Sequence, residues 1–129
     1  MSSKNCIGNL LKLICLLQDN STSSCNLENG CSKPYLGPSS NSICYNTRII
    51  QLYRCNGTLM ETTYTSDNGT ILSTNFYRVM SVDNNCCTLL LINYDNLGDT
   101  YNSTRQYITV DLACIGAVRC IRDVTANCL

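Results

Sequence analysis

The chain carries eleven cysteines and no histidine in 129 residues. An even number of cysteines can close entirely into disulfides within one molecule, whereas an odd number leaves at least one thiol free or bonded to another chain. Cysteine at this density is typical of proteins held together by disulfides, which persist in oxidising surroundings. The cysteine count therefore predicts a cross-linked assembly.

The N-terminal residues lack the pattern of a cleavable export signal. Their apolar side chains instead recur at helical spacing, at Ile7, Leu10, Leu11, Ile14 and Leu17. This spacing predicts one short amphipathic helix that packs on a body, and the apolar run is too short to cross a membrane. We therefore expect synthesis in the cytoplasm without a signal peptide, no membrane insertion, and oxidation of the cysteines at a later stage.

The charge composition favours association of the protein with itself. Charged residues make up 14% of the chain, and nine basic residues balance nine acidic ones. The usual charged fraction is about 25%, and a net charge near zero promotes association. The lysines and arginines are scattered and form no basic stripe, so nucleic acid is not expected as a partner.

Residues 1–42 and 43–129 differ in composition. The first part contains the predicted helix and then an irregular, cysteine-bearing arm rich in serine, asparagine and glycine, with both prolines of the chain. In the second part, β-branched and aromatic runs alternate with turn sequences such as Asn56-Gly57 and Asp67-Asn68-Gly69. We expect a single folding unit of mainly β structure: an antiparallel β-sandwich or barrel-like domain behind one short N-terminal amphipathic helix.

Runs typical of strands cover residues 43–54, 59–65, 70–82 (one strand or two), 86–94, 107–115 and 117–124. The run at 86–94 is apolar on both faces, so we expect it inside the sheet. Gly116 separates the last two runs and is expected at a β-bulge.

Asp111 is the carboxylate that interrupts an apolar strand pattern. A carboxylate in such a place needs a partner, and an arginine on an adjacent strand, Arg119 or Arg78, could provide one. We expect a structural ion pair between Asp111 and Arg119 and no catalytic role for either residue.

The composition also limits the possible chemistry. Without histidine, nucleophilic mechanisms that use Ser-His or Cys-His pairs are excluded. None of the cysteine spacings forms the Cys-x-x-Cys knuckle of a zinc ribbon. We therefore predict a protein that is not an enzyme and that carries no cofactor and no metal.

Three segments resemble a known family. They are 75–79 (NFYRV), 86–92 (CCTLLLI) and 108–121 (ITVDLACIGAVRCI). They look like the C-terminal half of the cysteine-rich spore outer-layer proteins of the CotY/CotZ/ExsY group, the spore coat protein Z family, and a weaker likeness extends upstream through the cysteine-bearing helix. The Val-Asp-Leu-x-Cys part of 108–121 is the most specific. The chain departs from the family at Gly116, where a further cysteine is expected.

The resemblance implies a structural protein of the bacterial spore surface, in the coat or the exosporium basal layer. Such a protein is made in the mother-cell cytoplasm, self-assembles into a sheet-like lattice and is then locked by intermolecular disulfides. Its expected partners are copies of itself, in a ring-based two-dimensional lattice, and other coat or exosporium proteins.

The cysteines divide into two predicted groups. Those on arms or termini that can reach another subunit are candidates for inter-subunit disulfides: Cys6, Cys15, Cys25, Cys31 and Cys128. The remainder are expected to belong to the body of the fold: Cys44, Cys55, Cys86, Cys87, Cys114 and Cys120. Adjacent Cys86 and Cys87 are not expected to bond to each other, because neighbours on a strand point to opposite faces.

One alternative rests on four matches to the N-glycosylation pattern, at Asn20, Asn56, Asn68 and Asn102. Chance explains them in a chain rich in asparagine and threonine, and two of them coincide with predicted turns. If the chain had lost an export signal, they would favour a secreted disulfide-rich glycoprotein that acts as a binding module. The sequence of the native precursor would discriminate the two hypotheses.

Overall fold

A computed structural model describes residues 6–27, 45–127 and 129. It contains one α-helix, α1 (Cys6–Leu27), and seven strands in this part of the chain: β1 (Thr47–Arg54), β2 (Thr62–Thr65), β3 (Ile71–Thr74), β4 (Phe76–Val82), β5 (Cys86–Asp95), β6 (Thr100–Asp111) and β7 (Ile115–Val124). A short 3-10 helix, Leu112–Cys114, joins β6 to β7. The predicted mainly β fold behind one N-terminal helix is confirmed.

Five strands form an antiparallel sheet in the order β6-β5-β4-β1-β7, and β2 and β3 form a separate hairpin. The two edges of the sheet meet just after β7. There the backbone N–H of Asn127 donates to the carbonyl of Tyr101 at 3.0 Å, and the N–H of Ser103 donates to the carbonyl of Asn127 at 2.9 Å. The sheet therefore curls on itself into a barrel-like form.

The first core cluster lies between the sheet and the elements that cover it. Its buried residues are Leu11, Ile14, Ile50, Leu52, Met60, Tyr64, Tyr77, Val79, Cys87, Leu89, Leu91 and Ile115. Leu11 and Ile14 come from α1 and Tyr64 from the hairpin, so the helix and the hairpin pack on the same cluster. Full burial of a leucine or isoleucine contributes roughly 1.5–3 kcal/mol, so these two side chains stabilise the packing of α1 on the sheet.

The second core cluster gathers side chains from all five strands of the sheet. Its buried members are Ile49, Leu90, Ile92, Tyr101 and Val124. The ring of Phe76 on β4 meets the rings of Tyr94 and Tyr101 edge to face, each at 5.9 Å between centroids. This cluster fills the curve of the sheet where β6 and β7 approach each other.

Glycines explain the turns and the bulge that the sequence predicted. Gly57 and Gly69 have φ values of 91° and 88°, which side chains disfavour. Gly116 has no partner on β1, because Tyr53 pairs with Ala117 and the next residue, Arg54, pairs with Ile115. A Cβ atom on Gly116 would lie 3.0 Å from the Cα atom of Cys55. The predicted bulge is therefore present, and it needs glycine because the two backbones touch there.

Two boundaries differ from the prediction. The helix α1 continues through residues 19–27, where we expected the irregular arm to begin. These residues include no glycine or proline, and asparagine and serine weaken a helix by less than about 0.7 kcal/mol each. The remainder of the predicted arm, from residue 28 to residue 44, lies outside the described residues.

The second difference concerns β6, which begins at Thr100 although a strand was expected only from residue 107. A register irregularity opposite Leu90 to Ile92 interrupts it, and Arg105 there has a φ of 61°. At its other end, β6 stops at Asp111 because the backbone turns into the 3-10 helix. The expected strand 107–115 therefore spans the end of one strand and the connection to the next.

The side chain of Gln18 is inserted between β1 and β4. These strands pair at Ile50 and Tyr77, and continuing that register would place Arg48 opposite Val79. Instead, the Nε2 of Gln18 donates to the carbonyl of Val79 at 2.8 Å, and the backbone N–H of Arg48 donates to the Oε1 of Gln18 at 3.0 Å. Gln18 is only 4% exposed. Its amide thus completes the ladder where the strands separate.

We predict that Gln18→Ala lowers the free energy of unfolding by about 2–4 kcal/mol, because each buried backbone group left unpaired costs about 1–3 kcal/mol. Urea denaturation followed by circular dichroism would measure the change. Gln51→Ala is the matched control, because the amide of Gln51 donates to the half-buried Asn75 side chain at 3.0 Å and bridges no strands. The control should cost no more than about 1.5 kcal/mol. Equal losses in the two variants would contradict the bridging role of Gln18.

Candidate functional site: the cysteine thiols

Two cysteines on α1 differ in exposure. Cys6 lies in the first turn and is exposed, whereas Cys15 is half-buried against the first core cluster. The thiol of Cys15 donates to the carbonyl of Met80 with 3.4 Å between sulfur and oxygen. Burial raises the pKa of Cys15, and the nearby charge of Asp19 raises it further. Because the thiolate is the reactive form, Cys15 is a poor nucleophile compared with an exposed thiol of ordinary pKa.

The adjacent cysteines at the start of β5 have different surroundings. Cys87 is fully buried in the first core cluster, and this burial raises its pKa to about 12. Cys86 is half-buried, and its backbone N–H donates to the carboxylate of Asp83 at 2.7 Å. The alternation of the strand thus separates the two thiols, as predicted. Cys87 acts as a small apolar core residue.

Three further thiols are exposed near β7. Cys55 follows β1, Cys114 ends the 3-10 helix that precedes β7, and Cys120 lies within β7 opposite Ile50. Cys55 and Cys114 are neighbours, because the backbone N–H of Cys55 donates to the carbonyl of Cys114 at 3.2 Å. Exposed thiols of this kind can undergo thiol–disulfide exchange.

The structure describes only some of the cysteines in each of the two predicted groups. Among the candidates for inter-subunit bonds, Cys6 is exposed and Cys15 is half-buried. The side chain of Cys25 lies outside the described part of the structure, as do residues Cys31 and Cys128 and, from the body group, Cys44. The exposure of Cys120 did not follow from the sequence, because alternation indicates which face a residue occupies but not which strand lies at an edge. Cys55 and Cys114 lie just outside β1 and β7.

Asp111 and Arg119 do not form the expected ion pair. The carboxylate of Asp111 accepts the backbone N–H of Ala113 at 3.0 Å and so caps the 3-10 helix. The guanidinium of Arg119 lies over the ring of Tyr53, 5.8 Å from its centroid. Asp111 is exposed and therefore needs no charged partner. A turn that begins at Asp111, and not a strand that passes through it, explains this residue.

Arg78, the other partner considered for Asp111, is used elsewhere. Its Nε donates to the hydroxyl of Thr47 at 2.9 Å, and its Nη2 donates to the carbonyl of Asn46 at 3.1 Å. Burial lowers the pKa of Arg78. The residue thus closes the gap between β1 and β4 beside Gln18.

The ion pairs among the described residues lie on the surface near β7. Arg48 and Asp123 form a two-pronged contact, with N–O distances of 2.7 and 3.0 Å, and Arg122 lies 3.3 Å from Asp99. The hydrogen bond from Arg48 lowers the pKa of Asp123. Exposed pairs of this kind contribute at most about 1 kcal/mol.

A shallow groove of about 440 Å³ lies beside Cys114, between the segment that leads into β2 and the β6–β7 junction. Its charged groups are Arg54, Glu61 and Asp111, and its apolar groups include Ile108 and Val110. The described residues contain no cluster of three or more cysteine, aspartate or glutamate side chains that could hold a metal ion. The described helix does not combine the length and hydropathy of a membrane span.

We predict that Asp111→Asn changes the free energy of unfolding by less than about 0.5 kcal/mol, whereas Asp111→Ala costs about 1 kcal/mol. Asparagine keeps an oxygen that can accept the N–H of Ala113, and alanine does not. The effects of Asp111→Ala and Arg119→Ala should add, since the two side chains share no contact. Urea titrations of the single and double variants would measure this. Non-additive effects on the free energy of unfolding would indicate an interaction between Asp111 and Arg119 and contradict this assignment.

We also predict a fixed order of thiol reactivity in the reduced protein at low concentration. Iodoacetamide should modify Cys6, Cys55, Cys114 and Cys120 first, Cys15 more slowly, and Cys87 only after unfolding. Mass spectrometry of peptides taken over time would follow each site, with the unfolded protein in urea as the control in which the rates converge. Early modification of Cys87 in the folded protein would contradict its place in the core.

Comparison with known proteins identifies a family that the sequence of this chain matches. The family described as spore coat protein Z matches residues 1–104 of the chain. No curated protein and no solved structure matches it. The match covers α1, the hairpin and the sheet as far as the first part of β6, and it ends before segment 108–121. Because it includes most of the chain, the protein belongs to the spore coat protein Z family.

Proposed function

We propose that this protein is a building block of the spore's outer layer that first self-assembles into a sheet-like lattice and is then locked by intermolecular disulfides. Membership of the family gives it a structural role in the spore coat, at the spore surface. The lattice, the cross-links and the choice between coat and exosporium go beyond the family match. The role needs no catalytic group, and its partners would be copies of the chain and other coat or exosporium proteins.

The observation that carries the proposal is the exposure of thiols on separate elements of one subunit. Cys6 lies at the start of α1, whereas Cys120 lies in the middle of β7. A subunit that exposes a single thiol can join only one neighbour. A subunit that exposes several can join more than one, which is the requirement for growth into a continuous layer.

Exposed apolar side chains support association before oxidation. Four leucines of α1 are at least one-third exposed: Leu10, Leu13, Leu16 and Leu17. On the hairpin, Ile71 is 71% exposed and Leu72 lies beside it. With a net charge of zero, little electrostatic repulsion opposes the covering of these surfaces by other copies.

The proposed mechanism has two stages. While the thiols are reduced, unlike surfaces of neighbouring subunits associate, and such contacts close into rings if the rotation allows; further contacts between rings extend the layer. Thiols held together at these contacts have a high effective concentration. Exchange with an oxidant therefore converts them to disulfides faster than it does for thiols on subunits that are not in contact. Oxidation thus fixes contacts that already exist.

The test uses the full chain purified with reductant. Electron microscopy should show regular arrays before and after addition of a low-molecular-weight disulfide, and only the oxidised arrays should resist sodium dodecyl sulfate without reductant. A variant with serine at Cys6, Cys15, Cys25, Cys31 and Cys128 and also at the exposed Cys120 should form arrays that the detergent dissolves even after oxidation.

Each part of the proposal has its own contrary result. If light scattering at high concentration shows a monomer in both the reduced and the oxidised protein, the proposal of self-assembly is wrong. If the serine variant stays unassembled, disulfides drive assembly and the two-stage order is wrong. If the serine variant still resists the detergent, the cross-links do not lie at the six substituted cysteines.

A further inference from the structure

Cys55 and Cys114 occupy facing positions at the end of the β1–β7 ladder. Arg54 pairs with Ile115, so the next pair in an antiparallel register is Cys55 with Cys114. The strand pairs end at Arg54 and Ile115, but the N–H of Cys55 still donates to the carbonyl of Cys114 at 3.2 Å, so the two backbones remain in contact one residue beyond the ladder. Facing residues in such a ladder have Cα atoms about 4.5–5.5 Å apart, and disulfides span about 4.4–6.8 Å between Cα atoms.

The side chain of Cys55 already points to the backbone of its neighbour. Its sulfur lies 3.2 Å from the carbonyl oxygen of Ala113, the residue that precedes Cys114. Both thiols are exposed, so an oxidant can reach them. The absence of a side chain at Gly116 lets the two chain segments approach, because a Cβ atom there would lie 3.0 Å from the Cα atom of Cys55.

No other described cysteine on the sheet faces a cysteine across a ladder. Cys86 pairs with Asp111, Cys87 with Val110, and Cys120 with Ile50. Cys15 and Cys87 lie near enough for a charge on Cys15 to raise the pKa of Cys87, but neither is exposed. The geometry thus singles out one pair that is both adjacent and accessible.

We propose that Cys55 and Cys114 are a redox site that closes into a disulfide within one chain. The thiolate of one cysteine attacks a sulfur of a low-molecular-weight disulfide, which forms a mixed disulfide and releases one small thiolate. The thiolate of the second cysteine then attacks the protein sulfur of the mixed disulfide and releases the second small thiolate. Two protein thiols lose two electrons, the small disulfide gains them, and the released thiolates take up the two protons.

The bond would fasten the end of β1 to the start of β7 and enclose all the strands between them. It forms within a subunit and does not require a neighbour, so it is independent of the lattice proposed above. It also removes two exposed thiols from the set that can cross-link subunits. Oxidation would then stabilise each subunit as well as the layer.

Trypsin makes the pair accessible to a direct test, because cleavage after arginine gives peptide 55–78, which contains only Cys55, and peptide 106–119, which contains only Cys114. Equal amounts of the full chain with natural and with 15N nitrogen are mixed under reductant, oxidised with glutathione disulfide, blocked with iodoacetamide and digested without reductant. We expect the two peptides to be joined and to carry the same label. Joined peptides of mixed label, or glutathione left on both cysteines, would overturn the proposal.

A second measurement does not depend on peptide mapping. Oxidation should raise the melting temperature of the protein by on the order of 10 °C, since the bond closes a long loop. Cys55→Ser should abolish most of this rise. Cys120→Ser is the matched control, because it removes an equally exposed thiol that has no facing cysteine, and it should retain the rise. An equal loss in both variants would contradict the assignment.

Discussion

The insertion of the Gln18 amide between β1 and β4 is the contact on which the arrangement of the core depends. The two strands separate at this point, and each would leave a backbone group without a partner. One side chain supplies both an acceptor and a donor. Leu11 and Ile14 lie on the same face of α1 as Gln18, so the amide sets the position of the helix while these apolar side chains supply most of the stabilisation.

The same architecture divides the cysteines into two chemical classes. Where α1 covers the sheet, Cys15 is half-buried and Cys87 is fully buried, and burial raises the pKa of both thiols. Cys120 lies on β7, an edge strand of the sheet, and Cys114 lies in the 3-10 helix that precedes it, and both stay in contact with solvent. Their reactivity thus follows from strand order and helix placement more than from the residues beside them in the sequence. A fold of this kind can keep some thiols unreactive while others react with an oxidant.

The features predictable from the sequence are those that depend on local pattern. Glycine after asparagine marked the turns at Gly57 and Gly69, an apolar run marked β5, and an isolated glycine marked the bulge at Gly116. The early start of β6 was not predicted because its first residues are mostly polar. They form a strand because they pair with β5. The cap at Asp111 was mistaken for an ion pair because alternation cannot show where a strand ends. The exposure of Cys120 depends on the place of β7 at the edge of the sheet, which no local pattern contains.

The odd number of cysteines retains its meaning whichever pairs form within the chain. A Cys55–Cys114 bond would use two of the eleven cysteines and leave nine. Every further bond within the chain removes two more, so one cysteine always remains to stay free or to bond outward. Stabilisation of each subunit and linkage between subunits therefore do not exclude each other. The fold decides which thiols stay exposed, and these include Cys6 on α1 and Cys120 on β7.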